Sequence, residues 1–286
     1  MPITIQQLLQ QSQQKLASKL GLNRQDAQFE TQLLLQTVLE VNRAWLIAHE
    51  SEMLAANDDA SFEALLNRRI KGEPIAHIIG YREFYGLHLK VTLDTLIPRP
   101  DTETLVEAAL TKIPNNAHFN ILDLGTGTGA IALAIAHNRL QSNVVATDIS
   151  QQALNVAIEN ATNLTIQNVQ FIASDWFLGL SHQQFDVIVS NPPYIEADDI
   201  HLHQGDLRFE PLSALASGRD GLDDIRRITY SAPNYLNPNG WLMFEHGYNQ
   251  AQYVAEIMAE NGFSQISHIK DLAGILRVTI GQLSKL

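Results

Sequence analysis

A chain of 286 residues is long enough to bury two hydrophobic cores, and its lack of cysteine excludes disulfide scaffolds, thiolate metal sites and a cysteine nucleophile. The formal net charge of −12, with no Lys/Arg-rich segment, repels a phosphate backbone, so nucleic acid is not expected as a direct ligand. The start, Met1-Pro2-Ile3-Thr4-Ile5, has no basic region leading into an apolar core, and no apolar run is long enough for a bilayer, so a cytoplasmic protein with no membrane partner is expected.

Apolar residues recur at helical spacing from Ile5 to about Ile70, as in Leu8, Leu9, Leu16 and Leu20 and later Phe62, Leu65 and Leu66. This predicts a small N-terminal helical bundle over residues 1–73, with the glutamines at 6, 7, 10, 11, 13 and 14 on a solvated face and Gly72 and Pro74 ending its last helix. From Ile75 to Val91, Gly80 and Gly86 punctuate β-prone residues, and Leu87, Leu89 and Val91 alternate with His88 and Lys90. A linking β-hairpin is therefore predicted within residues 74–93. Residues 94–286 then alternate in type. Strands are predicted at Asn120–Leu124, Val144–Thr147, Val169–Ile172, Phe185–Val189, Trp241–Glu245, Phe263–His268 and Leu276–Ile280. Helices are predicted at Thr102–Leu110, Ala130–His137, Gln151–Asn160, Leu222–Leu236 and Gln250–Glu260. Such alternation gives an α/β domain with a mostly parallel sheet covered on both faces.

Between the first strand of that domain and its helix lies Asp123-Leu124-Gly125-Thr126-Gly127-Thr128-Gly129-Ala130. Glycines there allow a tight turn and let a ligand reach bare backbone, and Asp148, ending the next strand, stands where a ribose-binding acid is expected. The spacing fits a nicotinamide dinucleotide and S-adenosylmethionine equally. Three features favour the second. Asp123 puts a carboxylate before the loop, which suits an ammonium group and not a pyrophosphate. Ser174-Asp175-Trp176 follows the third strand, where an acid can accept from an adenine amino group while the indole packs on its ring. Asn191-Pro192-Pro193-Tyr194 follows the fourth strand, and no His or Lys at a strand end offers a dehydrogenase's proton donor.

The tetrapeptide carries its own chemistry. Both prolines fix φ near −65° and lack an N–H, which leaves the carbonyls of Asn191 and Pro192 with few local donors. With the Asn191 side-chain oxygen they form a cup of acceptors, walled by Tyr194, that suits a planar NH2 group. Asp148 has a second reading as a helix cap before Gln151, Trp176 as a core residue, and Tyr194 as a core aromatic with a satisfied hydroxyl.

With these residues assembled, the chain resembles the class I S-adenosylmethionine-dependent methyltransferases. More narrowly, it resembles the HemK/PrmC family of protein-(glutamine-N5) methyltransferases. The resemblance rests on Gly80-Tyr81-Arg82-Glu83-Phe84-Tyr85-Gly86-Leu87, Leu96-Ile97-Pro98-Arg99-Pro100-Asp101-Thr102-Glu103, the glycine loop and Asn191 to Tyr194. It is extended by Glu210-Pro211, Ala214-Leu215, Asp220-Gly221-Leu222 and Asp271-Leu272-Ala273-Gly274. One departure is Asp101, where members usually carry glutamate. The resemblance implies a Rossmann-like, mostly parallel seven-stranded sheet, S-adenosylmethionine as cofactor with S-adenosylhomocysteine as product, and methylation of a glutamine in class I peptide chain release factors. It implies that Gly125, Thr126, Gly127, Thr128, Gly129, Asp148, Trp176 and Asn191 bind the cofactor. Asn191, Pro192, Pro193 and Tyr194 would bind the substrate, with Asn191, Pro192 and Tyr194 catalytic, and the helical bundle would recognise the partner.

His201-x-His203 lies among Asp198, Asp199 and Asp206, but two histidines at i and i+2 on a polar loop do not define a coordination shell, and no metal is expected. Two rivals stand beside the glutamine reading. An enzyme acting on DNA or RNA amino groups needs a basic target-recognition region, which is absent. A non-catalytic protein-binding module is opposed by the intact glycine loop, Asp148 and Asn191.

Overall fold

Thr4 and Gln7 cap each other reciprocally and start α1 (Ile5–Leu20), which Gly21 ends in the left-handed region at φ 68°. Asn23 and Asn42 likewise accept from backbone N–H groups at the starts of α2 (Arg24–Leu39) and α3 (Arg43–Ala48). α4 (Ala56–Ile70) and α5 (Ile75–Ile79) complete the first of two compact units, Met1–Gly80. Its core gathers Leu16, Leu34, Leu35, Phe62 and Leu66. Beside it Arg69 donates to both Glu30 oxygens, at 2.7 and 3.1 Å, and both side chains are buried. The computed structural model describes residues 3–181 and 183–284.

The stretch from Ile75 differs from the hairpin expected there. Ile75–Ile79 is helical, because Pro74 presets the first turn and Ile78 packs into the bundle core, outweighing the β-propensity of the isoleucines. The hairpin is confined to β1 (Tyr81–Phe84) and β2 (Leu87–Lys90), joined by Tyr85 and Gly86, both at positive φ.

The second unit, Tyr81–Leu286, begins with that hairpin and continues through α6 (Glu103–Lys112). There follow β3 (Asn120–Leu124), α7 (Ala130–Asn138), β4 (Asn143–Asp148), α8 (Gln151–Asn163), β5 (Val169–Ala173), β6 (Phe185–Ser190) and α9 (Asp223–Ser231). The chain closes with β7 (Leu236–Glu245), α10 (Ala251–Glu260), β8 (Phe263–Lys270) and β9 (Leu276–Leu283). The seven strands β3 to β9 form one sheet in the order β5-β4-β3-β6-β7-β9-β8, and β9 runs opposite in direction to the other six. α9 stops at Ser231, short of the predicted Leu236, because Pro233 has no N–H to continue the ladder. α7 is buried nearly all round, as a helix made of Ala, Ile and Leu must be.

This order fixes where chemistry can occur. β3 leads outward to β4 on one side while β6 lies on its other side, so the loops after β3 and β6 diverge and leave a crevice at the strands' C-terminal ends. Among the described residues no helix is long and apolar enough to cross a membrane.

Candidate active site

The loops after β3, β4, β5 and β6 line one cavity of about 590 Å³, which Gly125, Gly127, Asp148, Trp176, Asn191 and Pro193 all reach. Gly125, Gly127 and Gly129 each adopt positive φ. An added Cβ at Gly127 would meet nothing within 4 Å, so this backbone stands open. At Gly125 it would lie 3.3 Å from the Trp176 indole, and at Gly129 it would press on Leu133 and Ala157. The three glycines thus serve differently: Gly127 opens to a ligand, Gly125 lines the cavity while admitting the indole, and Gly129 lets α7 pack.

Asp123 does not reach the cavity. It is fully buried, its Oδ2 accepts from Thr126 Oγ1 at 2.6 Å and from Ala132 N at 3.2 Å, and its Oδ1 has no partner among the described residues. Burial without a counter-charge pushes its carboxyl up to about 7. The expected role beside an ammonium group gives way to that of a brace inside the glycine loop. Thr126 and Thr128 are buried with it; the Thr128 carbonyl accepts from Asn160, whose side chain also holds the N–H and carbonyl of Lys90.

Asp148 does face the cavity. Its Oδ2 accepts from Gly127 N at 2.9 Å and its Oδ1 from Ser150 N at 2.9 Å, while burial raises its pKa. Ser150, not Asp148, caps α8, its hydroxyl accepting from Ala153 N. Trp176 sits at φ 50°, a costly position for a bulky residue, and is held there because Ser174 Oγ donates to its carbonyl and accepts from Gly179 N. Its indole N–H donates to Asp224 on α9, and Arg227 one turn later pairs with Asp175 at 3.0 Å. Asp175 is therefore engaged by a guanidinium on the cavity wall.

Asn191 donates through Nδ2 to Thr102 Oγ1 at 3.2 Å. No donor reaches its Oδ1, or the carbonyls of Asn191 and Pro192, among the described residues. The Tyr194 carbonyl, in contrast, is filled by Gln250 Nε2 at 3.0 Å. Gly221 is required behind it, since a Cβ there would lie 2.2 Å from that carbonyl oxygen. The Tyr194 hydroxyl donates to Glu245 Oε1 at 3.2 Å, and burial beside this carboxyl raises the phenol's pKa. Pro192 is buried and Tyr194 partly so, and neither lines the cavity, whereas Asn191 and Pro193 do.

Glu210, expected from the sequence to shape this rim or only to end the loop, does line the cavity, and Glu245, for which the sequence suggests no role, does not. Glu210 is buried, accepts from Ile97 N at 2.9 Å and pairs with Arg99, which ties the Leu93–Leu96 stretch to the loop around Arg208–Ala214. Glu245, at the end of β7, is fully buried, and its Oε2 lacks a partner among the described residues. Asp101, the residue that departs from the family pattern, pairs with Arg277 at 3.3 Å. His201 pairs with Asp199 at 2.7 Å on an exposed loop that does not line the cavity, and among the described residues no cluster suits a metal ion.

Comparison with known proteins agrees with this geometry. A profile described as a methyltransferase domain matches residues 115–280, and one described as the PrmC N-terminal domain matches residues 7–80. A release factor glutamine methyltransferase of Xylella fastidiosa (strain 9a5c) is 47% identical over 253 residues, covering 88% of this chain and 92% of its own. One from Aliivibrio fischeri (strain ATCC 700601 / ES114) is 44% identical over 283 residues, 99% of this chain and 98% of its own. The crystal structure of a methyltransferase from Pyrococcus furiosus shares the fold, with a TM-score of 0.54 at 19% identity over 77% of this chain and 98% of its own. With relatives matched along nearly their whole length, the chain belongs to the release factor glutamine methyltransferase family.

Proposed function

We propose that this enzyme transfers a methyl group from S-adenosylmethionine to the side-chain amide nitrogen of the glutamine in the Gly-Gly-Gln motif of class I peptide chain release factors, in the cytoplasm. The observation that carries this reading is the set of unfilled acceptors at Asn191 and Pro192, beside a cavity that open glycine backbone also lines. The donor set fits the cofactor: bare backbone at Gly125 and Gly127 for the methionine part, Asp148 for ribose hydroxyls, and Trp176 for the adenine region. Thr126, Thr128 and Gly129 act by shaping the loop. When bound, S-adenosylmethionine supplies an electrophilic methyl group.

A carboxamide nitrogen is a poor nucleophile because its lone pair is delocalised into the carbonyl. Asn191 Oδ1 and the Pro192 carbonyl accept its two N–H bonds, which turns the developing lone pair away from them and surrounds the growing positive charge with fixed dipoles. The prolines keep these acceptors in place, so little reorganisation is needed. The cationic amide formed is strongly acidic, and water takes its proton. Pro193 and Tyr194 shape the corner, and the helical bundle contributes recognition of the release factor.

A nucleic-acid amino group offers the same NH2 geometry, but the net charge of −12 opposes a polyanion. Incubating the protein with isotopically labelled cofactor and purified release factors, then locating the label by mass spectrometry, tests the proposal. Label on the Gly-Gly-Gln glutamine is expected; label elsewhere, or none, refutes it.

A further inference from the structure

We infer that Gln250 is a positioning residue for methyl transfer: its carboxamide locks the Tyr194–Ile195 peptide and thereby aims the acceptors of Asn191 and Pro192 at the substrate. This rests on the glutamine-methylation reading. Gln250 is 7% exposed and does not line the cavity, so it acts on the reaction only through what it holds. Its Nε2 donates to the Tyr194 carbonyl at 3.0 Å and to the Asp220 carbonyl at 3.2 Å, and its Oε1 accepts from Gly247 N at 2.8 Å.

Backbone alone sets which way round this amide lies. The Gly247 N–H can only donate, so it faces Oε1, and the two carbonyls can only accept, so they face the NH2. Both N–H bonds of the amide are used. Close packing enforces the arrangement: a Cβ on Gly247 would lie 2.9 Å from Gln250 Oε1, and one on Gly221 would lie 2.8 Å from Nε2. The amide thus joins three segments, the end of the tetrapeptide, the turn before α9 and the start of α10.

The tetrapeptide is anchored at its two ends. Ser190 closes β6 in register between Leu124 and Phe244, and its hydroxyl donates to the Leu124 carbonyl at 2.8 Å. Beyond Tyr194, Ile195 N donates to the Leu215 carbonyl at 2.9 Å. Between these points the prolines stiffen the chain but supply no N–H, so the aim of the acceptors depends on how the ends are held. The Ile195 bond alone lets the Tyr194–Ile195 peptide tilt about it. A second bond, from Gln250 to the carbonyl of the same planar unit, fixes that plane. The Tyr194 hydroxyl bond to Glu245 sits at the tip of a rotatable side chain and does not fix it. Asp220, in contrast, has holds of its own, since its carboxylate accepts from Leu222 N at 3.2 Å and from Arg226 at 3.0 Å. Losing the amide therefore frees Tyr194 more than the turn before α9, whose Asp224 goes on holding the Trp176 indole.

Two substitutions separate polarity from shape. Gln250→Met keeps the bulk of the side chain and removes both donors. Gln250→Glu keeps the outline but turns a carboxylate oxygen toward two carbonyl oxygens that it cannot serve. Neither changes a group that lines the cavity. The expected defect is a misdirected acceptor cup, and a displacement of about 1 Å at a reacting group costs on the order of 100-fold in rate.

The test uses the full-length protein. Calorimetry gives cofactor affinity and the fraction of protein competent to bind it, and labelled methyl transfer gives kcat per competent site and the release factor KM. A residue that only supports the fold would lower the competent fraction and leave kcat per site unchanged. Gln250→Met and Gln250→Glu are each expected to lower kcat per site about 10- to 100-fold, with cofactor dissociation constants within about twofold and KM within about threefold of wild type. In an Asn191→Ala background, where one of the acceptors being aimed is already missing, Gln250→Met should cost no more than about threefold. Wild-type kcat per site in either variant, loss of cofactor affinity in both, or an undiminished loss in the Asn191→Ala background overturns the inference. Failure of the wild-type enzyme to label glutamine instead refutes the parent reading.

Discussion

Asp123→Asn tests the account of the glycine loop most directly, because it changes charge at one buried atom while conserving shape. Asp123 is 0% exposed and its carboxyl titrates at about 7 instead of 3.8. A difference of about 3 units corresponds to roughly 4 kcal/mol between the two protonation states. The folded protein therefore holds a proton that the unfolded chain releases between these two values. This contribution to stability is fully present below pH 3.8 and is lost as pH rises to about 7, beyond which the buried anion costs its full amount.

Asparagine never ionises. Its oxygen can still accept from Thr126 and Ala132, but its NH2 falls where Oδ1 has no partner, a buried unsatisfied donor costing about 1–3 kcal/mol. The difference leaves Asp123→Asn more stable than wild type by about 1–3 kcal/mol at pH 8; at pH 5, where the unfolded aspartate has already ionised and about 1.6 kcal/mol of the wild-type advantage is gone, the two are within about 1.5 kcal/mol of each other. Hydrogen exchange of the β3 and β6 amides as a function of urea reports on the unit that contains the loop. Comparing variant with wild type at each pH cancels the parallel titration of Glu245. A variant destabilised more at pH 8 than at pH 5 would show that the carboxylate is ionised and compensated, and would refute the reasoning.

Asn191→Ala should keep cofactor affinity within a few-fold and lower turnover about a hundredfold or more, measured by calorimetry and methyl transfer; unimpaired turnover removes it from the reaction. Asp148→Ala deletes an acceptor that holds Gly127 N at 2.9 Å, and should weaken cofactor binding by about 10- to 100-fold, the worth of a charge-assisted hydrogen bond. An unchanged dissociation constant would leave Asp148 bracing the loop alone. Glu30→Ala removes the carboxylate that accepts from Arg69 Nε and Nη2 in a buried setting and should destabilise the first unit by about 3–5 kcal/mol in urea unfolding, with residues 81–286 little affected.

What could be read in the chain was whatever is written locally. Each predicted strand of the second unit overlaps an observed one, because a parallel strand buried on both faces is a short apolar run, such as Val187-Ile188-Val189. The glycine loop and Asn191 to Tyr194 are contiguous, and their φ restrictions act on immediate neighbours. Errors arose where tertiary packing decided between local options. Ile75–Ile79 carries β-prone isoleucines yet turns helical against the bundle core, and Pro233, present in the sequence, was not given its weight as the end of α9.

The contacts that complete the site share a different property: each joins residues far apart along the chain. Glu210 reaches Ile97 across 113 positions, Asn191 reaches Thr102 across 89, and Tyr194 reaches Glu245 across 51. Glu245 looked like the last residue of a strand because, locally, that is all it is. Its isolation in the fold is legible only once β6 and β7 are paired side by side, which brings Asn191 and Glu245 to the same sheet edge. A buried acid at a parallel strand's C-terminal end costs stability through desolvation, and such a cost persists where the surroundings use the charge. Asp123 and Glu245 are the two carboxyls in this unit raised to about 7, and each stands directly behind one half of the site, the glycine loop and the acceptor cup. Asp123 was legible beside the glycine loop; an acid ending an apolar strand of a predicted parallel sheet is the signal that would have found Glu245.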